Sequence, residues 1–244
     1  MTFFRALTFL AALCALGASP PVHDSGLQIP AWIEGDAPSA TPVFHATING
    51  KRAAVTAVRN PSSDQVILLV LDLTGDLARV EPAEQALTSE IGKLPSNAWV
   101  GLLRAQDGLH VLADPGPSRK PALDAIQTLT ISGKAGLLDT VQSALSIGDA
   151  MMRRSPARVA VLYITDSDIA NYRDDYTNPV INQSDPHDLS RRFPEALVNE
   201  KISALLEPVG TLEPPLYIVH LNYRGDRLNL AYQNGLKTLA EATG

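Results

Sequence analysis

Apolar positions along the chain gather into short blocks separated by polar, turn-rich stretches. Val66 to Leu71 are six consecutive apolar residues, and Leu73 adds a seventh beyond Asp72. A run this short, β-branched at its start and bounded by polar residues, predicts a strand buried on both faces, as in a parallel sheet. It finishes in Asp72, Thr74, Gly75 and Asp76. Arg158 to Asp168 repeats the design, an apolar strand running into Thr165, Asp166, Ser167 and Asp168. Open α/β sheets bind ligands at the carboxyl ends of their strands. Two buried strands that both end in acids and hydroxyls therefore predict one oxygen-rich site built from both.

The remaining pattern alternates between strands and helices. Val43 to Ile48 and Lys51 to Val58 alternate around Asn49-Gly50, the strongest short hairpin signal. Helical spacing predicts Val80 to Leu94, with Leu77, Val80, Ala83, Ala86, Leu87 and Ile91 marking its apolar side. Ala98 to Leu103 is a strand, Asp107-Gly108 a turn, and Leu109 to Leu112 a strand antiparallel to it. Helices follow at Arg119 to Leu129, with Ser118 as cap, and at Leu137 to Met152. Ile169 to Arg192 is polar and reads as an insertion on the rim of the site. Glu195 to Leu206 is a helix, Leu216 to Leu221 a strand and Leu228 to Ala242 a last helix. The order implies an α/β fold: a doubly wound, mostly parallel sheet with one antiparallel edge strand, preceded by a short hairpin. The expected divisions are a signal peptide over 1–18, an extended leader over 19–41, the hairpin over 42–60 and the main domain over 61–244.

The amino terminus changes the picture of where the protein works. Arg5, an apolar stretch from Ala6 to Leu16 and the small residues Gly17, Ala18 and Ser19 form a secretory signal pattern, with cleavage expected near Ala18. An uncleaved anchor is the rival. Cys14, the single cysteine, lies inside this segment, so a mature chain carries no disulfide, which suits a bacterial periplasm. The chain of 244 residues has a hydrophobic fraction of 45%, ample for a core. Its net charge is −6, and loss of Arg5 with the signal makes it −7. That balance argues against a nucleic-acid partner, which needs a basic face.

Four segments then carry a family resemblance. LVLDLTGD, SGKAGLLDTVQSAL, VLYITDSD and, more weakly, PLYIVHL followed by LKTLAEATG together resemble the von Willebrand factor type A (VWA) domain. More narrowly, the chain looks like exported bacterial proteins described as VWFA-related. It covers about Gln65 to Gly244, and the leading hairpin is similar to the segment that precedes the domain in those proteins. The chain stops where the family usually continues, so either a longer parent or a missing last element is expected.

The resemblance implies a Rossmann-like fold and a metal-ion-dependent adhesion site built on D-x-S-x-S, a loop threonine and a strand-end aspartate. Asp72 matches the first aspartate, Thr74 keeps a hydroxyl at the first serine, Asp76 stands at the second serine, and Asp166 matches the strand-end aspartate. The threonine place holds Lys134 or Ala135, so the site is degenerate. The implied cofactor is Mg²⁺, or Ca²⁺ or Mn²⁺, and the implied partner is a protein whose acidic side chain completes the metal shell.

Three clustered carboxylates cannot all stay ionised without a cation or raised pKa values. A divalent metal is one solution. The Lys134 ammonium, pairing with the partner's acid, is another, and then no cofactor is needed. In the blandest reading the acids face water separately. Asp139 is expected at a helix start and Asp168 as an exposed loop acid. Asp174, Asp175, Asp185, His187 and Asp188 form a solvated acidic patch whose spacing fits no EF-hand. Tyr172 and Tyr176 suit either a partner contact or packing within their loop. His45, His110 and His220 stand singly on strands. The Ser132-Gly133-Lys134-Ala135 loop lacks the features of a phosphate loop, and no nucleophile, base and orienting group occur as a set. The expected function is an exported, non-enzymatic protein-binding domain. A metal-free structural or assembly protein of the envelope, or a metal-assisted hydrolase, are the alternatives.

Overall fold

A computed structural model describes residues 44–55, 64–74, 77–129, 133–175 and 194–243. The expected signal and leader, Asp76, Tyr176 and the acidic patch from Asp185 onward lie outside the described residues. The chain divides into Met1–Pro42 and Val43–Gly244, and everything below concerns the second unit.

A hairpin comes first. β1 (Ala46–Ile48) pairs antiparallel with β2 (Lys51–Ala53). Asn49 and Gly50 both take positive φ, 51° and 75°, as a two-residue type I′ turn demands.

The main sheet has five strands in the order β5-β4-β3-β6-β7. They are β3 (Gln65–Asp72), β4 (Ala98–Arg104), β5 (His110–Ala113), β6 (Arg158–Thr165) and β7 (Leu216–His220). β3 pairs in parallel with both β4 and β6, and β6 with β7; only β5 is antiparallel. Helices α1 (Leu77–Lys93), α2 (Lys120–Gln127), α3 (Leu137–Arg154), α4 (Ile169–Asp175), α5 (Pro194–Gly210) and α6 (Arg227–Glu241) make the connections. The expected fold class is the observed one.

Side-chain alternation along the central strand sorts two cores. Val66, Leu68 and Val70 face a cluster with α3, α4, α5 and α6, including Val141, Tyr172, Ile202 and Tyr232. Leu69, Leu71 and Leu73 face the other way, onto Val80 and Ile91 of α1 and Ala122 and Ile126 of α2. With successive side chains pointing to opposite faces, Asp72 falls on the α3 side. That side is dry, which matters for its charge.

Several boundaries and roles need correction. Ala86 is exposed, so the α1 stripe is narrower than its spacing suggested. Arg119, not Ser118, occupies the N-cap of α2, although the Ser118 hydroxyl accepts a 3.4 Å bond from the Lys120 N–H. Arg119 instead closes α1: its guanidinium donates to the Leu94 and Pro95 carbonyls at 2.6 Å, the usual use of a cation at a helix's carboxyl end. The stretch read as a polar insertion begins with helix α4, which buries Ile169 and Tyr172. Buried Tyr172 is a packing residue.

Candidate functional site

The carboxyl ends of β3 and β6 meet at the point where the chain, having built β4 and β5 on one side, crosses to the other. Ligand sites in open sheets form at such switch points. The register sets Asp72 beside Thr165, and the Asp166 N–H donates to the Asp72 carbonyl at 3.3 Å. The two strand-end aspartates therefore stand side by side, as the sequence pattern implied.

Asp72 is fully buried and both its oxygens are used. Oδ1 accepts the Gly136 N–H at 2.8 Å, and Oδ2 accepts the Thr165 hydroxyl at 2.9 Å. With its hydrogen committed to Asp72, Thr165 can only accept at its 2.6 Å contact with Ser167 Oγ. Ser167 therefore donates, and its own oxygen takes the Tyr232 hydroxyl at 2.8 Å. A buried file of hydroxyls thus runs from α6 to the carboxylate. Even so, burial pushes the Asp72 carboxyl up to about 6, with the negative Asp166 adding to the rise. The Gly136 and Thr165 donors pull in the opposite direction without restoring an ordinary value.

Asp166 is arranged differently. Its Oδ1 accepts both the Thr74 N–H at 2.6 Å and the Thr74 hydroxyl at 2.9 Å. Its Oδ2 is buried and has no hydrogen-bond partner among the described residues. An unpartnered carboxylate oxygen in a protein interior is costly, and native proteins rarely leave one so.

The helix-opening loop contributes a backbone donor. Gly136, just before α3, lies so close to Ala105 that a Cβ there would overlap the Ala105 carbonyl. That approach is what brings its N–H to Asp72. Lys134 has an exposed side chain, and its N–H donates to Asp107 Oδ1 at 3.3 Å. The Gly136 N–H contacts the acidic pair through Asp72. The turn after β4 adds Gln106, whose amide donates to the Leu73 carbonyl at 2.6 Å and pins the end of β3.

Asp168 corrects an expectation. It is buried, not a free loop acid: it caps α4 through the Ala170 N–H at 2.9 Å and pairs with Arg224 at 3.1 Å. Asp139 lies in the first turn of α3 and pairs with Lys201. His220 bonds the Ser167 carbonyl at 2.7 Å through Nε2, so it supports the site from β7. Sequence reasoning missed Thr165, Ser167 and Tyr232 as a unit, and Gly136 as a donor. A glycine before a helix was the one visible hint.

Asp72, Thr74 and Asp166 meet; Asp76 falls outside the described residues. Among those residues no group of three His, Cys, Asp or Glu side chains could hold a metal. Two carboxylates and a hydroxyl, with one carboxylate oxygen buried and unsatisfied, do fit an ion that keeps several waters. That describes Mg²⁺ better than a calcium cage of six to eight protein oxygens.

No protein-family model matches the chain, and no curated protein matches it. Solved structures do show likeness. The SpRpn10 VWA domain is similar at 12% identity and a TM-score of 0.42, over 74% of this chain and 82% of that one. The conserved hypothetical protein BatB from Bacteroides thetaiotaomicron is similar at 14% and 0.42, over 74% and 86%. A von Willebrand factor type A structure from Catenulispora acidiphila is similar at 15% and 0.39, over 75% of this chain and 43% of that one. Values this low say nothing of activity. The VWA-like character rests on the strand order and layering described above.

Proposed function

We propose that this protein is an exported, non-enzymatic binding domain that captures an acidic side chain of a protein partner at Asp72, Thr74 and Asp166. Asp76 joins them by its place in the motif. The observation that carries the reading is the buried Oδ2 of Asp166, unpartnered among the described residues and beside a second carboxylate. Such a pocket calls for a cation, and Mg²⁺ suits the oxygens present. A bound divalent ion would supply positive charge and open coordination positions to the partner's carboxylate. Asp166 and Thr74 would hold the ion, while Asp72, locked by Gly136 and Thr165, would supply charge from behind. Export rests on the amino-terminal signal pattern alone.

Thermal melting in EDTA against Mg²⁺, Mn²⁺ and Ca²⁺ tests the reading. Selective binding to the native state adds about 2.7 kcal/mol at a hundredfold excess over Kd. For a domain of this size each kcal/mol moves the midpoint by about 2–4 °C. The expected result is a saturable rise of several degrees with Mg²⁺ that disappears in Asp166→Asn and shrinks in Thr74→Ala. A flat response in the wild-type chain points instead to a metal-free assembly role.

A further inference from the structure

The sheet has two edges, and they differ. β5 is four residues long, and its pairing slips between Leu102 and Leu103. Such irregularities twist an edge away from new partners, and Asp107 and Asp114 flank it with charge. β7 has no such irregularity. It reads Leu-Tyr-Ile-Val-His, with no charged residue, no proline and an unbroken register against β6. Tyr217 and Val219 are 56% and 44% exposed, while Leu216 and Ile218 pack on the α3 side.

Hydrogen bonds tell which backbone groups face outward. The Val161 N–H donates to the Pro215 carbonyl and the Leu221 N–H to the Thr165 carbonyl. In a parallel ladder, alternate residues serve one neighbour, so Pro215, Tyr217, Val219 and Leu221 face β6. Leu216, Ile218 and His220 face out. Leu216 is covered, since its N–H donates to the Thr243 hydroxyl at 2.8 Å. Among the described residues no strand pairs with this side of β7, and Ile218 sits at its centre with its N–H and C=O directed away from β6.

We propose that this edge is a self-association surface, on which β7 pairs antiparallel with β7 of a second copy about a two-fold axis through Ile218. The unit is its own complement. Ile218 exchanges both backbone bonds with the second copy's Ile218. Tyr217 then lies against the second copy's Val219, an aromatic and β-branched pair of the kind that stabilises antiparallel strands. The uncharged strand offers no repulsion between two copies of an acidic chain.

Sedimentation velocity across a concentration series of the full chain tests the pairing. The expected result is a mass that rises toward two chains in the wild type and stays at one in Tyr217→Lys and Val219→Lys, with unchanged circular dichroism and melting midpoint. Register is tested by oxidation in a Cys14→Ser background. Tyr217 and the second copy's Val219 form a non-hydrogen-bonded pair with Cα atoms about 4.5 Å apart, within disulfide reach. Mixing Tyr217→Cys with Val219→Cys should give a cross-linked mixed dimer faster than either variant alone. A wild-type chain that stays single at every concentration overturns the proposal and leaves the edge to a strand of another protein. Lysine variants that still associate, or cross-linking no faster on mixing, overturn it equally.

Discussion

At the scale of residues, the decisive fact is that two neighbouring carboxylates are treated unequally. Asp72 receives a backbone N–H and a hydroxyl yet keeps a raised pKa of about 6 against an ordinary 3.8. Between those values the folded chain holds a proton on Asp72 that the unfolded chain has released. Stability from this group is therefore highest near pH 4, declines as pH rises to about 6, and is level above that. The difference is on the order of 3 kcal/mol, since each unit corresponds to about 1.4 kcal/mol. Urea unfolding in EDTA at pH 4, 5, 6 and 7 should show the wild type losing stability relative to Asp72→Asn over that interval. Parallel pH profiles for the two proteins would mean that the carboxyl is not strained by burial. The aspartates themselves were legible in the sequence, because each closes an apolar strand. Their unequal surroundings were not, because Thr165, Ser167 and Tyr232 are joined only when α6 docks, 65 residues beyond Ser167.

At the scale of elements, the loop leading into α3 decides whether the site forms. Gly136 touches the Ala105 backbone, where no side chain can yield. Gly136→Ala should therefore displace the loop, remove the N–H from Asp72 and destabilise the fold by about 3 kcal/mol or more, combining overpacking with an unsatisfied buried acceptor. Gly235→Ala makes the comparison: its Cβ meets the mobile tip of Ile202, so a smaller loss is expected. Equal losses in denaturant midpoint would contradict this ranking. Elements with long periodic patterns were readable from the chain. The helical stripe of Leu137, Leu138, Val141, Ala144, Leu145, Gly148 and Met152 is buried along α3. Helix α4 escaped, because seven residues reading IANYRDD carry too little apolar period to stand out from a loop. Arg119 escaped for a different reason: its partners are carbonyls at the end of another helix, and backbone oxygens leave no mark in a sequence.

At the scale of the whole molecule, the layers follow from one alternation. Even-numbered residues of β3 face four helices and odd-numbered ones face two, so the charged end of the strand is enclosed by the thicker layer. The thinner layer leaves Tyr217 and Val219 on β7 uncovered. Among the described residues no helix is long and apolar enough to cross a membrane. The mostly parallel sheet was foreseeable from the βα rhythm. The state of the edges was not, since exposure depends on which helices reach them.

The clasp between Thr243 and Leu216 gives one hydroxyl an influence over the rim of the sheet. Thr243→Val would unlatch the first amide of β7 and lengthen its sticky rim toward the beginning of the strand. Chains carrying that change should then clump at lower concentration than wild-type ones, measurable by light scattering of matched samples. Equal thresholds would show the latch to be idle.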